Sequence, residues 1–444
     1  MIPGAARLRA LFAGPIARGA TLSLAIRLIG IAVSFLQAVV AARLLGTENY
    51  GIAAVAIAAA TMLGTLSTLG LGTLAVREIA RQRARGNWGA LRGFIGASLG
   101  AVAVAGLTGA ALLVLSVLSL SLFAPVYRTA VALGAVLVVV VAAIKLQRGM
   151  AQGFGRILSS QAPDEVVRPV LLLVFLAIVA SSGAPLSPER YLLLLAVAGG
   201  LALALGLVAL WRAICAMVPP ALPQHEVRRW TGEALPFLQI AAVTAAFSEA
   251  NTLLLGWLAD PREAALFQPL ARLSPLMTIA MQAVAMPFAP RVSALLATGE
   301  TARVIAISRQ VTLTTTAATL ALVAAILAAA PTILAAFGPE FVAAAPALWW
   351  IAGAQCFNAA CGPVGLLLTM ANRAGMALRA QVLALLAMLL LGLALIPGLG
   401  AEGAAIALAA GIVTWNIAML RWVRRDLGID PALPGALIGW TRPR

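Results

Sequence analysis

Residues 23–85 read SLAIRLIGIAVSFLQAVVAARLLGTENYGIAAVAIAAATMLGTLSTLGLGTLAVREIARQRAR. The stretch holds an apolar run, a short polar turn, a second apolar run and then a burst of arginines. In the first run Ser23, Arg27, Gly30, Ser34 and Gln37 recur every three or four residues, which places them on one face of a helix. The turn Thr47-Glu48-Asn49-Tyr50-Gly51 is expected to reverse the chain. The second run sets Thr61, Thr65, Thr68 and Gly72 on one stripe, and Arg77, Arg81, Arg83, Arg85 and Arg92 follow it.

The rest of the 444-residue chain has the same character. It is 62% hydrophobic and 10% charged, with a mean hydropathy of +1.01, against roughly 25% charged residues in an ordinary soluble domain. A helix needs about 20 mainly apolar residues to cross the hydrocarbon of a bilayer, and it satisfies its own backbone hydrogen bonds there. Such stretches fall at residues 19–45, 52–76, 93–118, 125–147, 167–183, 190–213, 235–258, 265–290, 308–337, 342–371, 375–396 and 402–423. The expected fold class is an all-α integral membrane protein of about twelve transmembrane helices. The basic N-terminus lacks a short apolar core followed by an A-x-A-like site, so the first span is expected to act as its own insertion signal.

The net charge of +16 would suggest nucleic acid in a soluble protein. Here the basic residues sit in every second connection: Arg77 to Arg92, Lys145 to Arg168, Arg212 to Arg229, Arg291 to Arg309, and Arg373 with Arg379. The N-terminus adds Arg7, Arg9 and Arg18, and the C-terminus adds Arg421, Arg424, Arg425, Arg442 and Arg444. By the positive-inside rule both termini are cytoplasmic, which agrees with an even number of spans. The charge is therefore read as topological, and nucleic acid is excluded as a partner. Cys215, Cys356 and Cys361 show no metal-ligand spacing and His225 stands alone, so no metal or cofactor is expected.

The segment with Pro219, Pro220, Pro223 and a run of charges separates two sets of six spans. The expected division is an N-terminal half at 1–213, a cytoplasmic linker at 214–234, a C-terminal half at 235–424 and a cytoplasmic tail at 425–444. Leu254-Leu255-Gly256 with the turn and span after it echoes Leu44-Leu45-Gly46, as in transporters built from repeats. Connections on the outer face are short, which argues against a glycan polymerase or ligase.

Ionisable groups inside a span cost about 2.5–3.5 kcal/mol on insertion scales, so each needs a partner, a wet cavity or an escape to the interface. Arg27 and Arg272 are the basic candidates, and a snorkelling reading remains open for Arg27. Ser34, Gln37, Thr65, Gln239, Asn251, Gln268 and Gln282 are the expected polar lining. Glu249 is the one carboxylate placed well inside a span, either a counter-ion or a site for a coupling proton or cation. Asn358, Gln355, Gln381 and Asn416 read as interhelical hydrogen bonders. Guanidinium groups among hydroxyls and amides suit an anionic, phosphate-bearing substrate.

Ala41-Ala42-Arg43-Leu44-Leu45-Gly46-Thr47-Glu48-Asn49-Tyr50-Gly51, with Leu69-Gly70-Leu71-Gly72 and Arg77-Glu78-Ile79-Ala80-Arg81, resembles the amino-terminal signature of polysaccharide biosynthesis flippases of the multidrug/oligosaccharidyl-lipid/polysaccharide exporter superfamily. The resemblance implies two six-helix bundles around a central cationic cavity and a non-enzymatic protein of the bacterial inner membrane. It implies a substrate of undecaprenyl-pyrophosphate-linked oligosaccharide, moved from the cytoplasmic to the periplasmic leaflet for cell-surface polysaccharide. A glycan polymerase of the same pathway is an expected partner besides the bilayer. Arg27 and Arg272 would then hold the pyrophosphate. Where many members carry an aspartate before the second Leu-Leu-Gly, this chain has Asn251, with Glu249 two residues earlier. A drug antiporter of the same fold is the alternative, with Glu249 as its coupling carboxylate.

Overall fold

A computed structural model describes residues 15–119 and 123–433. Arg7, Arg9, Arg442 and Arg444 lie outside the described residues, as does the tail beyond 433. Every described element is helical: α1 Pro15–Leu45, α2 Thr47–Leu66, α3 Leu71–Arg85, α4 Trp88–Leu118, α5 Pro125–Gly153, α6 Ile157–Ala162, α7 Arg168–Ser181, α8 Pro188–Met217, α9 Val227–Leu258, α10 Pro261–Met277, α11 Ile279–Ala297, α12 Thr301–Phe337, α13 Ala345–Cys361, α14 Val364–Met370 and α15 Ala374–Trp422. The chain forms two compact units, Met1–Ala245 and Ala246–Arg444. The division falls inside α9. Extended chain in the segment expected as linker is confined to residues 218–226, because α8 runs to Met217 and α9 starts at Val227.

Among the described residues eight helices are long and apolar enough to cross a membrane, or nine when one bent pair counts as a span. The difference from twelve lies in broken or fused elements. The expected fifth span is α7, which is too short to pass alone and continues backwards through a π-turn at Pro163–Val167 into the short α6. The eighth is α10 and α11, interrupted at Thr278. The tenth is bent by 43° between Cys361 and Val364. The eleventh and twelfth are fused in the 49-residue α15, which reverses at Gly400 (φ 53°, ψ −127°). A Cβ on Gly403 would lie 2.7 Å from the Leu395 carbonyl. Eight residues of unbroken helix would separate those positions by about 12 Å, so the two arms run back along each other. At that corner Glu263 accepts the Ala401 N–H (2.7 Å) and so caps the second arm.

In the first unit the reversal expected over Thr47–Gly51 is made by Gly46 alone (φ 75°), and Thr47 already begins α2. The second span breaks at Ser67–Gly70, where Leu69 and Gly70 take positive φ of 53° and 73°. The unit's core is Leu74, Ile79, Leu91, Phe94, Met150, Phe154 and Trp230, with the Phe94 and Trp230 rings edge to face at 5.3 Å. Outward faces are apolar: Val104, Leu107, Leu118 and Leu390 are each more than 60% exposed. Trp211, Trp257, Trp349 and Trp350 are exposed near helix ends, as in an interfacial aromatic belt. Such a surface belongs in lipid, and the protein is a multi-pass membrane protein.

Candidate functional site

In the first unit, the break between α2 and α3 opens a cavity of about 590 Å³. Thr65 and Thr68 from the broken span, Arg77 from α3, Lys145, Arg148 and Gln152 from α5, Phe237 and Ala241 from α9, and Asp164 line it. Irregular backbone is tolerated at membrane depth where it faces such a cavity. The hydroxyls of Thr65 and Thr68 donate to the carbonyls of Thr61 and Thr65, both at 2.7 Å, leaving their oxygens as acceptors. Arg77 is half exposed, pairs with Glu233, and stands 5.5 Å above the Phe237 ring. Arg148 binds Glu165 at 2.6 Å, and Asp164 turns mainly to Arg168 at 3.1 Å. Each arginine holds its carboxylate by part of its fork, and a guanidinium has five N–H donors in all.

Behind the cavity lies a network that the sequence reading did not identify. Glu78 is fully buried and accepts from Arg81, Arg229, Gln82 (2.7 Å) and Trp230 (3.3 Å). Glu233 joins Arg77, Arg81 and Arg229. The arginine burst after the second span is thus wired to the start of α9, and only part of it is free topological charge. Its sequence signal was the Arg228-Arg229 and Glu226, Glu233 pattern at helical spacing.

The stripe on α1 resolves into two roles. Ser23 accepts from Gln161 (2.8 Å), Gly30 packs on the Glu165 backbone, and Gln37 is buried and donates to the Tyr191 hydroxyl at 2.8 Å. These three, seven apart, form the seam against α6 to α8. Arg27 is exposed beside the seam, with no ion pair among the described residues, and Ser34 is partly buried. Gln239 is exposed on α9.

In the second unit Arg272 is half buried, its Nε is enclosed, and neither an ion pair nor a hydrogen bond reaches it among the described residues. Gln268 donates to Thr252 (3.1 Å). Asn251 is 2% exposed; its Nδ2 donates to the Ala404 carbonyl (3.3 Å), while its Oδ1 finds no partner among the described residues. Glu249 is half buried. Gln355 donates to Ser274 (2.9 Å), Asn358 to Gln355 (3.1 Å) and Asn416 to the Ile412 carbonyl (2.9 Å). Gln282 is exposed and lines a second cavity, at the break between α13 and α14. No group of three or more potential metal ligands occurs among the described residues.

Residues 16–295 match the profile of a family described as polysaccharide biosynthesis protein, well over half of the chain. The chain belongs to that family. Its fold is that of the MOP superfamily transporters. A multidrug resistance MATE family transporter in an inward-facing conformation superposes with a TM-score of 0.73 at 14% identity, over 91% of this chain and 98% of that one. The Lipid II flippase MurJ in an inward closed conformation gives 0.67 at 12% identity, over 94% and 91%. A MOP superfamily transporter from Pyrococcus furiosus, described as having a binding pocket of reverse polarity, gives 0.64 at 14% identity, over 94% and 97%. No curated protein matches the chain. At these identities the likeness establishes the fold of this polysaccharide biosynthesis family member.

Proposed function

We propose that this protein is a flippase of the bacterial inner membrane that carries a polyprenyl-pyrophosphate-linked oligosaccharide from the cytoplasmic to the outer leaflet. The observation that carries this reading is the cavity at the α2–α3 break, where Arg77, Lys145 and Arg148 converge beside threonine hydroxyls. A pyrophosphate would exchange with Glu233 and Glu165 for the forks of Arg77 and Arg148, since guanidinium binds phosphate through two parallel bonds. Family membership and a fold shared with a Lipid II flippase support the same substrate class. Arg27 and Arg272, neither of them ion-paired among the described residues, are each proposed as further anion contacts during transport. The lipid tail stays in the bilayer, both termini face the cytoplasm, and no covalent step is needed. Membrane potential favours the step, because each negative charge moved outward gains about 2.3 kcal/mol per 100 mV.

Binding of a sugarless polyprenyl pyrophosphate to the purified protein tests the headgroup site. The reading expects competition by inorganic pyrophosphate and at least tenfold weaker binding in an Arg77→Ala, Arg148→Ala double variant. Unchanged binding in that variant would remove the cavity from the mechanism.

A further inference from the structure

The cavity of the second unit has a different chemistry. It measures about 310 Å³ and is formed by α11, α12, α13, α14 and α15, with the backbone of Gly362 to Gly365 in its wall. Its polar lining consists of Thr278, Gln282, Thr315, Asn358, Gln381 and Asn416, and none of the lining residues is charged. Trp415 adds an indole face, held by stacking on Phe247 at 5.4 Å and 29°. The helix ends at Gly362 (φ 76°), where Pro363 supplies no N–H.

Several of these groups are committed to the fold. Thr315 donates to the Val311 carbonyl (2.7 Å), Asn358 to Gln355 and Asn416 to Ile412. The amides of Gln282 and Gln381 and the indole N–H of Trp415 have no hydrogen-bond partner among the described residues. Three residues with uncommitted polar groups, from three segments of chain, thus line one small cavity. An acyl chain would strand these amides without water, which is costly. A metal cation would want carboxylates, and a phosphate would want arginine or lysine; neither lines this cavity. Amides that both donate and accept, beside an aromatic face whose negative quadrupole attracts C–H groups, suit a neutral polyol ring. The volume is at the lower end for ligand sites and admits one or two sugar rings.

We infer that the cavity at the α13–α14 break is a subsite for one or two neutral sugar residues, with Trp415 as the stacking platform and Gln282 and Gln381 as the hydroxyl readers. The inference rests on the flippase reading for its biological ligand and deepens it: this cavity recognises the neutral glycan.

The experiment is ligand-observed NMR on the full-length purified protein, with a panel of free neutral disaccharides of gluco, galacto and manno configuration, N-acetylated members included. Sugarless polyprenyl pyrophosphate binding is measured in parallel. At least one disaccharide is expected to show saturation transfer, weakened about tenfold, or 1.4 kcal/mol, in Trp415→Ala and in Gln381→Leu, with lipid pyrophosphate binding unchanged. Trp415→Phe keeps the aromatic face and the contact with Phe247 and should bind within about threefold of the parent. A panel that fails to bind, or binds parent and variants alike, overturns the inference. The parallel measurement separates the two ideas. Disaccharide binding lost in the variants without any lipid pyrophosphate binding would sustain the sugar subsite and sink the flippase headgroup site, and the converse pattern would do the opposite.

Discussion

Glu78, fully buried near the middle of α3, is ion-paired to Arg229 in the first turn of α9. The two are 151 residues apart in sequence. A carboxylate with no solvent exposure is tolerated only because Arg81, Arg229, Gln82 and Trp230 replace its water. The network is a strut between the second crossing and the helix that leads into the second unit's sequence. Removing its charge leaves Arg81 and Arg229 only the partly exposed carboxylates of Glu233 and Glu226.

Glu78→Gln should therefore lower stability by about 1.5–3 kcal/mol, the range for lost hydrogen bonds to charged groups. The partially exposed arginines keep the loss below the figure for a wholly buried pair. Thermal unfolding of the detergent-purified protein is the readout, and an unchanged melting temperature would mean that the network carries no net load.

Gly149 on α5 meets Gly72 on α3 backbone to backbone; a Cβ on Gly149 would sit 1.9 Å from the Gly72 carbonyl oxygen. Gly149→Val should force the helices apart at the floor of the basic cavity and reduce folded protein in the membrane sharply. Gly96→Val, where nothing lies within 4 Å of the added carbon, is the matched control and should be tolerated.

Arg272 offers a test of function against stability. Its guanidinium is half buried with an unpartnered Nε, so replacing it by leucine should leave stability unchanged or raise it by about 1 kcal/mol. Glycan export should still fall by tenfold or more. Full export in that variant would assign Arg272 to packing alone.

At the Gly400 corner of α15, Glu263→Gln should keep the hydrogen bond to Ala401 but lose the charge on the helix N-terminus, costing about 0.3–1 kcal/mol. Glu263→Ala should cost more, and a melting curve in each variant orders the two effects.

The crossings were legible because their signal is bulk hydropathy, which each helix carries in its own residues. The breaks were less so. Gly362-Pro363 announces itself by residue type, whereas the turn at Leu69-Gly70 is imposed by the approach of α9: a Cβ on Gly70 would sit 2.4 Å from the Ala234 carbonyl. The polar stripe of α1 had the right period, yet period alone does not distinguish a cavity wall from a seam, and Gln37 proved to be held by Tyr191. Thr65 does line a cavity, and its cationic partners Arg77, Lys145 and Arg148 were assigned only to topology. A basic residue at a helix end satisfies the charge rule for insertion and the chemistry of an anion site equally well. Only packing separates the two.

The proposed activity is movement of a lipid-linked glycan between leaflets. The most direct measurement labels the lipid-linked oligosaccharides of a strain lacking the protein and asks, with a probe that does not cross the membrane, which leaflet holds them. Accumulation of complete units on the cytoplasmic side, reversed by the parent protein and not by the Arg77→Ala, Arg148→Ala double variant, is the predicted result. Normal delivery of those units to the outer leaflet in the strain's absence of the protein would contradict it.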